Sequence, residues 1–321
     1  MNSPMPPITS ESIEDLIRGL ASIIDGEIAV FRLIACGPRA IPFLERFLLC
    51  GAPRTIALPR RRAVRILAAL GAHSALTAYL RNSRLPEDAL VLFAEDGVRS
   101  DAARELLQWK REDVFQVLLE AAHRRATSGI IFALGEFRRS ETVPVFFKVL
   151  EDDLCREDAK EALRKIPEPC RAYALPLLRG ETVLPIHGSA ALRRRRATLQ
   201  LLEELGIDSV AWQTVRGFLT EDDIDVVLAA AEIGLRSAPE GERAEILLTM
   251  LRVSQHVTWA QEGKIMALFD KEPAMANGAA LRLVQQRLAN GQRPDWRDPS
   301  WRILRHILGP TLGHARREDG R

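Results

Sequence analysis

His187-Gly188-Ser189 sets an imidazole and a hydroxyl close together, at the end of an irregular connection running from Gly180 to Gly188. The chemistry such a pair would do is base-assisted nucleophilic attack, which needs the base within hydrogen-bond reach of the hydroxyl and aimed at it. Two residues apart in a loop they lack that geometry, and Ser189 reads as the cap of the helix that follows. The other histidines (73, 123, 256, 306 and 314) have no metal-ligand spacing, and Cys155 and Cys170 lack the companion pair of a zinc site. No G-x-S-x-G, P-loop, dinucleotide glycine fingerprint or H-E-x-x-H is present. These residues point away from an enzyme, and to no cofactor and no metal.

Disulfide chemistry is not expected either. Cys36 and Cys50 flank one helix of about ten residues, which rises about 15 Å, whereas a bridge fails beyond a Cα separation of about 7 Å. Cys155 and Cys170 face the same obstacle. The expectation is buried free thiols in a reducing cytoplasm.

Charge says more. The net charge is only +2, but from Ile28 to Leu85 ten arginines face one acid, Glu45, giving +9. From Glu203 to Glu245 eleven acids face three arginines, giving −8, with a basic cluster at Arg193–Arg196 just upstream and nine arginines against four acids from Leu281 onward. Guanidinium forks match carboxylates and phosphates, so the basic third suits an acidic protein or a nucleic-acid backbone. A second reading uses the same charges inside the molecule. Helix starts alternate between basic (Arg61, Arg125, Arg196) and acidic (Asp101, Glu157, Asp223), as pairing between neighbouring repeats requires. Arginine outnumbers lysine 39 to 6, a ratio that codon bias can produce unaided.

The elements that position these side chains are repeated. Three helices end in Leu-Gly: Arg62 to Gly71, Arg125 to Gly135 and Arg196 to Gly206. Related segments end at Gly37, Lys110, Pro167 and Gly234, so first and second helices of about seven pairs meet at these breakers, with a period of roughly 30 to 40 residues. Glycine past a helix end takes the left-handed conformation, and Pro167 stops a helix for want of an amide hydrogen. Second helices open on Ile41-Pro42, Val143-Pro144 and Leu175-Pro176, proline being tolerated in a first turn. An opening helix is expected from Ser10 to Ile24 after a short arm that has no signal-peptide character, and Thr220 is expected to cap a helix beginning with acids. Trp109 and Trp212 read as core, while Trp296 and Trp301, in a proline-punctuated segment, read as a cap over the last repeat. No run of about 18 apolar residues is present, so no membrane span is expected.

The Arg-x-Ala…Leu-Gly first helices and the Val/Ile/Leu-Pro second helices resemble the HEAT-repeat superfamily, in particular the HEAT-like repeats of the phycobilisome-lyase type. The likeness covers about residues 27–269. It implies an all-α fold, an α-α superhelix of the HEAT/armadillo type, with residues 1–26 as arm and opening helix and residues 270–321 as capping helices and tail. The superfamily includes scaffolds, adaptors, lyases and DNA glycosylases. The expected function is a protein-interaction scaffold, with a nucleic-acid-binding solenoid as the alternative and a lyase or glycosylase after that. Arg39, Arg46, Tyr79 and Arg81 are the candidate contacts on second helices, and Arg60, Arg61, Arg62 and Arg65 extend the patch along a rim.

Overall fold

A computed structural model describes residues 10–309, except residues 83 and 186. The N-terminal arm, His314 and the tail after Gly309 lie outside the described residues. All regular structure among the described residues is helical, and no helix there is long and apolar enough to cross a membrane. Packing divides the chain into two compact units, one running through Ile166 and one starting at Pro167.

The first unit contains α1 (Ser10–Gly19), α2 (Gly26–Ala35), α3 (Ile41–Cys50), α4 (Leu58–Ala69), α5 (His73–Arg81), α6 (Ala89–Leu106), α7 (Glu112–Arg124), α8 (Ser128–Phe137), α9 (Val143–Val149) and α10 (Arg156–Arg164). Here α2 packs on α4, α4 on α6, α6 on α8 and α8 on α10, forming one layer. A second layer places α3 on α5 and α5 on α7, and α1 closes over α2 and α3. The second unit contains α11 (Pro167–Leu178), α12 (Ser189–Leu205), α13 (Ser209–Arg216), α14 (Ile224–Ser237), α15 (Glu240–Val253), α16 (Trp259–Phe269), α17 (Pro273–Ala289) and α18 (Pro299–Leu308). Its helices also pack two places apart, α12 on α14, α14 on α16, α11 on α13 and α15 on α17, and α18 lies against α15, α16 and α17.

Helix junctions fall at or within a few residues of every expected breaker, but not always for the expected reason. Gly71 has φ +72° and closes α4 with the Ala72 amide donating to Leu67 O at 2.9 Å and the Gly71 amide to Ala68 O at 3.0 Å, a paired closure that needs a left-handed residue. Gly135 and Gly234 are not helix ends. Gly135 lies inside α8, which ends at Arg138 with φ +53°. A Cβ on Gly135 would come within 2.8 Å of Ala162 Cβ, and one on Gly234 within 2.5 Å of the Trp212 ring. Both glycines are there so that neighbouring elements can approach closely.

Other local expectations need correction. The opening helix ends at Gly19, and Pro176 sits within α11, whose first residue is Pro167. Pro42 and Pro144 do lie in first turns. Ser189 is the first residue of α12 rather than its cap, a position taken by Gly188. Asp223, not Thr220, caps α14 by accepting from the Val226 amide at 3.1 Å. Trp212 is fully buried and its indole N–H donates to Glu242 at 3.0 Å, while Trp301 is buried beneath the Arg287 guanidinium, 5.1 Å from the ring centroid. Trp109 is half-buried against His73, and Trp259 is exposed.

Candidate interaction surface

Arginines at the start of α4 turn inward. Arg60 is buried and uses all five of its N–H donors. Its Nε and Nη2 bind the two Glu95 oxygens at 3.1 and 3.0 Å, and its remaining donors reach Phe47 O, Gly51 O and Leu48 O at 3.2, 3.2 and 2.8 Å. It therefore closes the carbonyl end of α3, whose last C=O groups have no partner within the helix. Tyr79, also buried, donates its hydroxyl to Glu95 and lies 5.7 Å under the Arg60 guanidinium. Burial, then the Glu95 charge, pushes the Tyr79 phenol well above its usual range.

Arg62 does similar service for the turn that follows α1. It is buried, donates to Leu20 O and Ser22 O at 2.8 and 2.6 Å, and binds Glu27 at 3.0 Å. Exposed Arg65 takes the other Glu27 oxygen, and Arg61 grips Asp101 on α6. Side-chain hydrogen bonds from Arg65 lead the causes that hold the Glu27 carboxyl below its usual value. Five of the eight expected contact residues thus serve the fold: Arg60, Arg62 and Tyr79 are buried, and Arg61 and Arg65 are engaged by acids of adjoining helices.

Arg39, Arg46 and Arg81 differ. All three are exposed, with no acid at ion-pair distance among the described residues. Arg39 precedes α3 in a short 3-10 turn, Arg46 lies on α3 with its guanidinium 5.8 Å from the Phe43 ring, and Arg81 ends α5. Cations at a helix end such as Arg81 also complement the backbone dipole. The α5 terminus is clamped by two arginines absent from the expected set. Arg99 is buried and donates to Leu80 O and Asn82 O at 3.1 and 3.3 Å, and Arg124 donates to Arg81 O and Leu80 O at 2.8 and 3.0 Å. The signal that would have found them is an arginine about 19 to 44 residues beyond the helix-end carbonyl it binds.

In the second unit two arginines of the basic cluster pair with acids of the acidic segment. Arg195 binds Glu221 at 3.1 Å, and Arg196 binds Asp223 and, at 3.5 Å, Asp225. Burial raises the Asp223 carboxyl pKa, but bonds from Arg196 and the Val226 amide outweigh it and hold the group low. The alternation of charged helix starts is realised for Arg61 with Asp101 and Arg196 with Asp223, whereas Arg125 turns back to Asp96 at 2.6 Å instead of reaching Glu157.

The residues considered for chemistry remain apart. His187 is exposed, and among the described residues no group of three or more His, Cys, Asp and Glu side chains could hold a metal ion. The four cysteines are unbridged. Cys155 and Cys170 are buried, which pushes their thiols up to about 12, but Cys36 is half-buried and Cys50 exposed, contrary to the expectation that all four are buried. No family model matches the chain, and no curated protein matches it.

Proposed function

We propose that this protein is a HEAT-like superhelical scaffold that binds an acidic protein partner and catalyses no reaction of its own. The observation that carries the reading is the contrast between two sets of arginines in one unit. Those facing into the first-helix layer are consumed by acids and helix-end carbonyls, while Arg39, Arg46 and Arg81 on the second-helix layer stay exposed and uncompensated. A guanidinium that the fold does not need and leaves in water is available to a carboxylate. Packing between helices two places apart, repeated within each unit, supports the superhelix, as does the Leu-Gly and Val-Pro phrasing of the pairs.

A protein is favoured over a nucleic acid by what lies beside the patch. Helix α7, next to α5, turns Glu120 outward beside Glu112, which Arg139 already engages at 2.6 Å, and a phosphate track crossing from α3 and α5 would meet Glu120. The test is recovery of partners on the tagged protein from its own cell lysate, with and without nuclease, for wild type and for Arg39→Glu/Arg46→Glu/Arg81→Glu. Support is a stoichiometric protein that survives nuclease and is lost from the triple variant at unchanged melting temperature. Recovery that collapses on nuclease treatment and falls steeply with salt would replace the reading with nucleic-acid binding.

A further inference from the structure

Helix α6 opens with six apolar residues in a row, Ala89-Leu-Val-Leu-Phe-Ala94. A surface helix ordinarily keeps its outward face polar, yet Leu90 is 71% exposed and Phe93 69%. One turn apart, the two share a face.

The neighbours of α6 stop short of this segment. Helix α8 begins beside Ser100, whose hydroxyl bonds that of Thr127 at 3.0 Å and whose backbone lies against Gly129. Helix α5 ends beside Arg99, and α4 starts level with Glu95 and Asp101 through Arg60 and Arg61. The first six residues, about 9 Å of helix, therefore leave their outer face of Leu90 and Phe93 open, while Val91, Leu92 and Ala94 are half-buried. The six are held firmly. Asp88 caps the start, accepting from the Leu90 and Val91 amides at 2.9 and 3.0 Å. At the base, consecutive Glu95 and Asp96 are gripped by Arg60 and by Arg125.

The same unit presents a socket. A groove of about 360 Å³ between α1 and α3 is lined by Ile17, Phe43 and Phe47, with Glu14, Arg18 and Arg46 as its charged lining. An apolar cavity of about 150 Å³ accepts a benzene ring, so this groove has room for a phenyl ring and a leucine side chain. Arg18 is held by Asp15, whereas Arg46 has no acid at ion-pair distance among the described residues. The acids exposed at the tip of the projecting helix are Glu87 and Asp88.

We propose that the chain associates with a second copy of itself head to tail, Leu90 and Phe93 of one copy entering the α1–α3 groove of the next and Glu87 meeting Arg46. The inference shares Arg46 with the scaffold reading but is carried by a different observation, the exposed Leu90 and Phe93. Helices α4 and α5 stand between the projection and the groove within one copy, so each copy keeps one free projection and one free groove, and assembly continues or closes into a ring. Two side chains and their surround bury less than the roughly 800 Å² per partner of a standard interface, so association is weak and concentration-dependent.

The experiment is sedimentation velocity of the full chain over a concentration series. The wild-type sedimentation coefficient should rise with concentration to species larger than a dimer. Phe93→Asp, at an exposed position, should weaken association about thirtyfold or more, the scale of an interface hot spot. Phe43→Asp should do the same from the groove side. Mixing these two variants should restore one 1:1 dimer and nothing larger, because only one intact projection and one intact groove remain. If Phe43→Asp fails to fold, Arg46→Glu should weaken association and Arg46→Glu/Glu87→Arg should recover it. A wild-type chain that stays monomeric throughout overturns the proposal, as does association indifferent to Phe93→Asp, or a monomer that instead captures a different protein through Phe93.

Discussion

Replacing Glu95 by alanine should be among the most damaging single changes in the first unit. The Glu95 and Arg60 side chains are each only 6% exposed, and Glu95 accepts two bonds from Arg60 and one from Tyr79. Removing the carboxylate leaves a buried guanidinium without its counter-charge, which costs about 3–5 kcal/mol. Three carbonyl acceptors stay with Arg60, so the lower half of that range is expected. With an m-value of about 3 kcal/mol per M, the urea midpoint falls by about 1–1.3 M. The control is Asp101→Ala, which breaks a pair whose arginine is 51% exposed and should cost less than about 1 kcal/mol. Arg60→Lys sharpens the reasoning. Lysine keeps the charge but has three donors rather than five, so at least two acceptors lose their partner, at about 1–3 kcal/mol each where the acceptor is left buried. Urea unfolding followed by circular dichroism supplies the midpoints, and hydrogen exchange of α4 and α6 peptides assigns the transition to the first unit. If Glu95→Ala costs no more than Asp101→Ala, or Arg60→Lys matches wild type, the buried fork is not what holds α3, α4 and α6 together.

Two further outcomes follow from the same packing. A Cβ on Gly129 would lie 2.2 Å from Ser100 O and 2.5 Å from Ser100 Cα, backbone atoms that cannot yield cheaply, whereas one on Gly97 meets nothing within 4 Å. Gly129→Ala should destabilise by at least about 1–3 kcal/mol and Gly97→Ala should stabilise by up to about 1 kcal/mol, both read from thermal or urea midpoints; similar effects at the two sites would show that α6 and α8 are not in backbone contact. In the second unit, burial and then the Glu203 charge raise the Glu232 carboxyl above 4.5. The folded state then binds more protons than the unfolded one, so this group's contribution is present below about pH 4.5 and is lost as pH rises through the raised value. Glu232→Gln should remove that downward slope from the urea midpoint measured from pH 4 to 8, and an unaltered slope would exclude Glu232 as its source.

The joints between helices were legible in the chain where a helix end needs local chemistry: Gly71 takes positive φ, and Pro42 and Pro144 lie in first turns, although Pro176 of the same phrase sits inside α11. Leu134-Gly135 and Ile233-Gly234 misled, since a glycine required for close approach looks the same in sequence as one required for a turn. Charge was legible in amount and illegible in destination. Counting from Ile28 to Leu85 excluded Glu27, Glu95 and Asp101, which lie 35 to 40 residues from the arginines they bind. The apparent +9 surface therefore reduced to a few exposed arginines once those acids arrived. Arg46 and Arg60 are one residue type in one basic stretch, and composition cannot separate them. Only the fold decides, because the partners of Arg60 are a carboxylate 35 residues on and the carbonyl end of a helix, groups that come together when α3, α4 and α6 pack and not before. The helical character of this chain follows from the sequence alone; which of its charges face a partner is decided by the tertiary contacts that consume the rest.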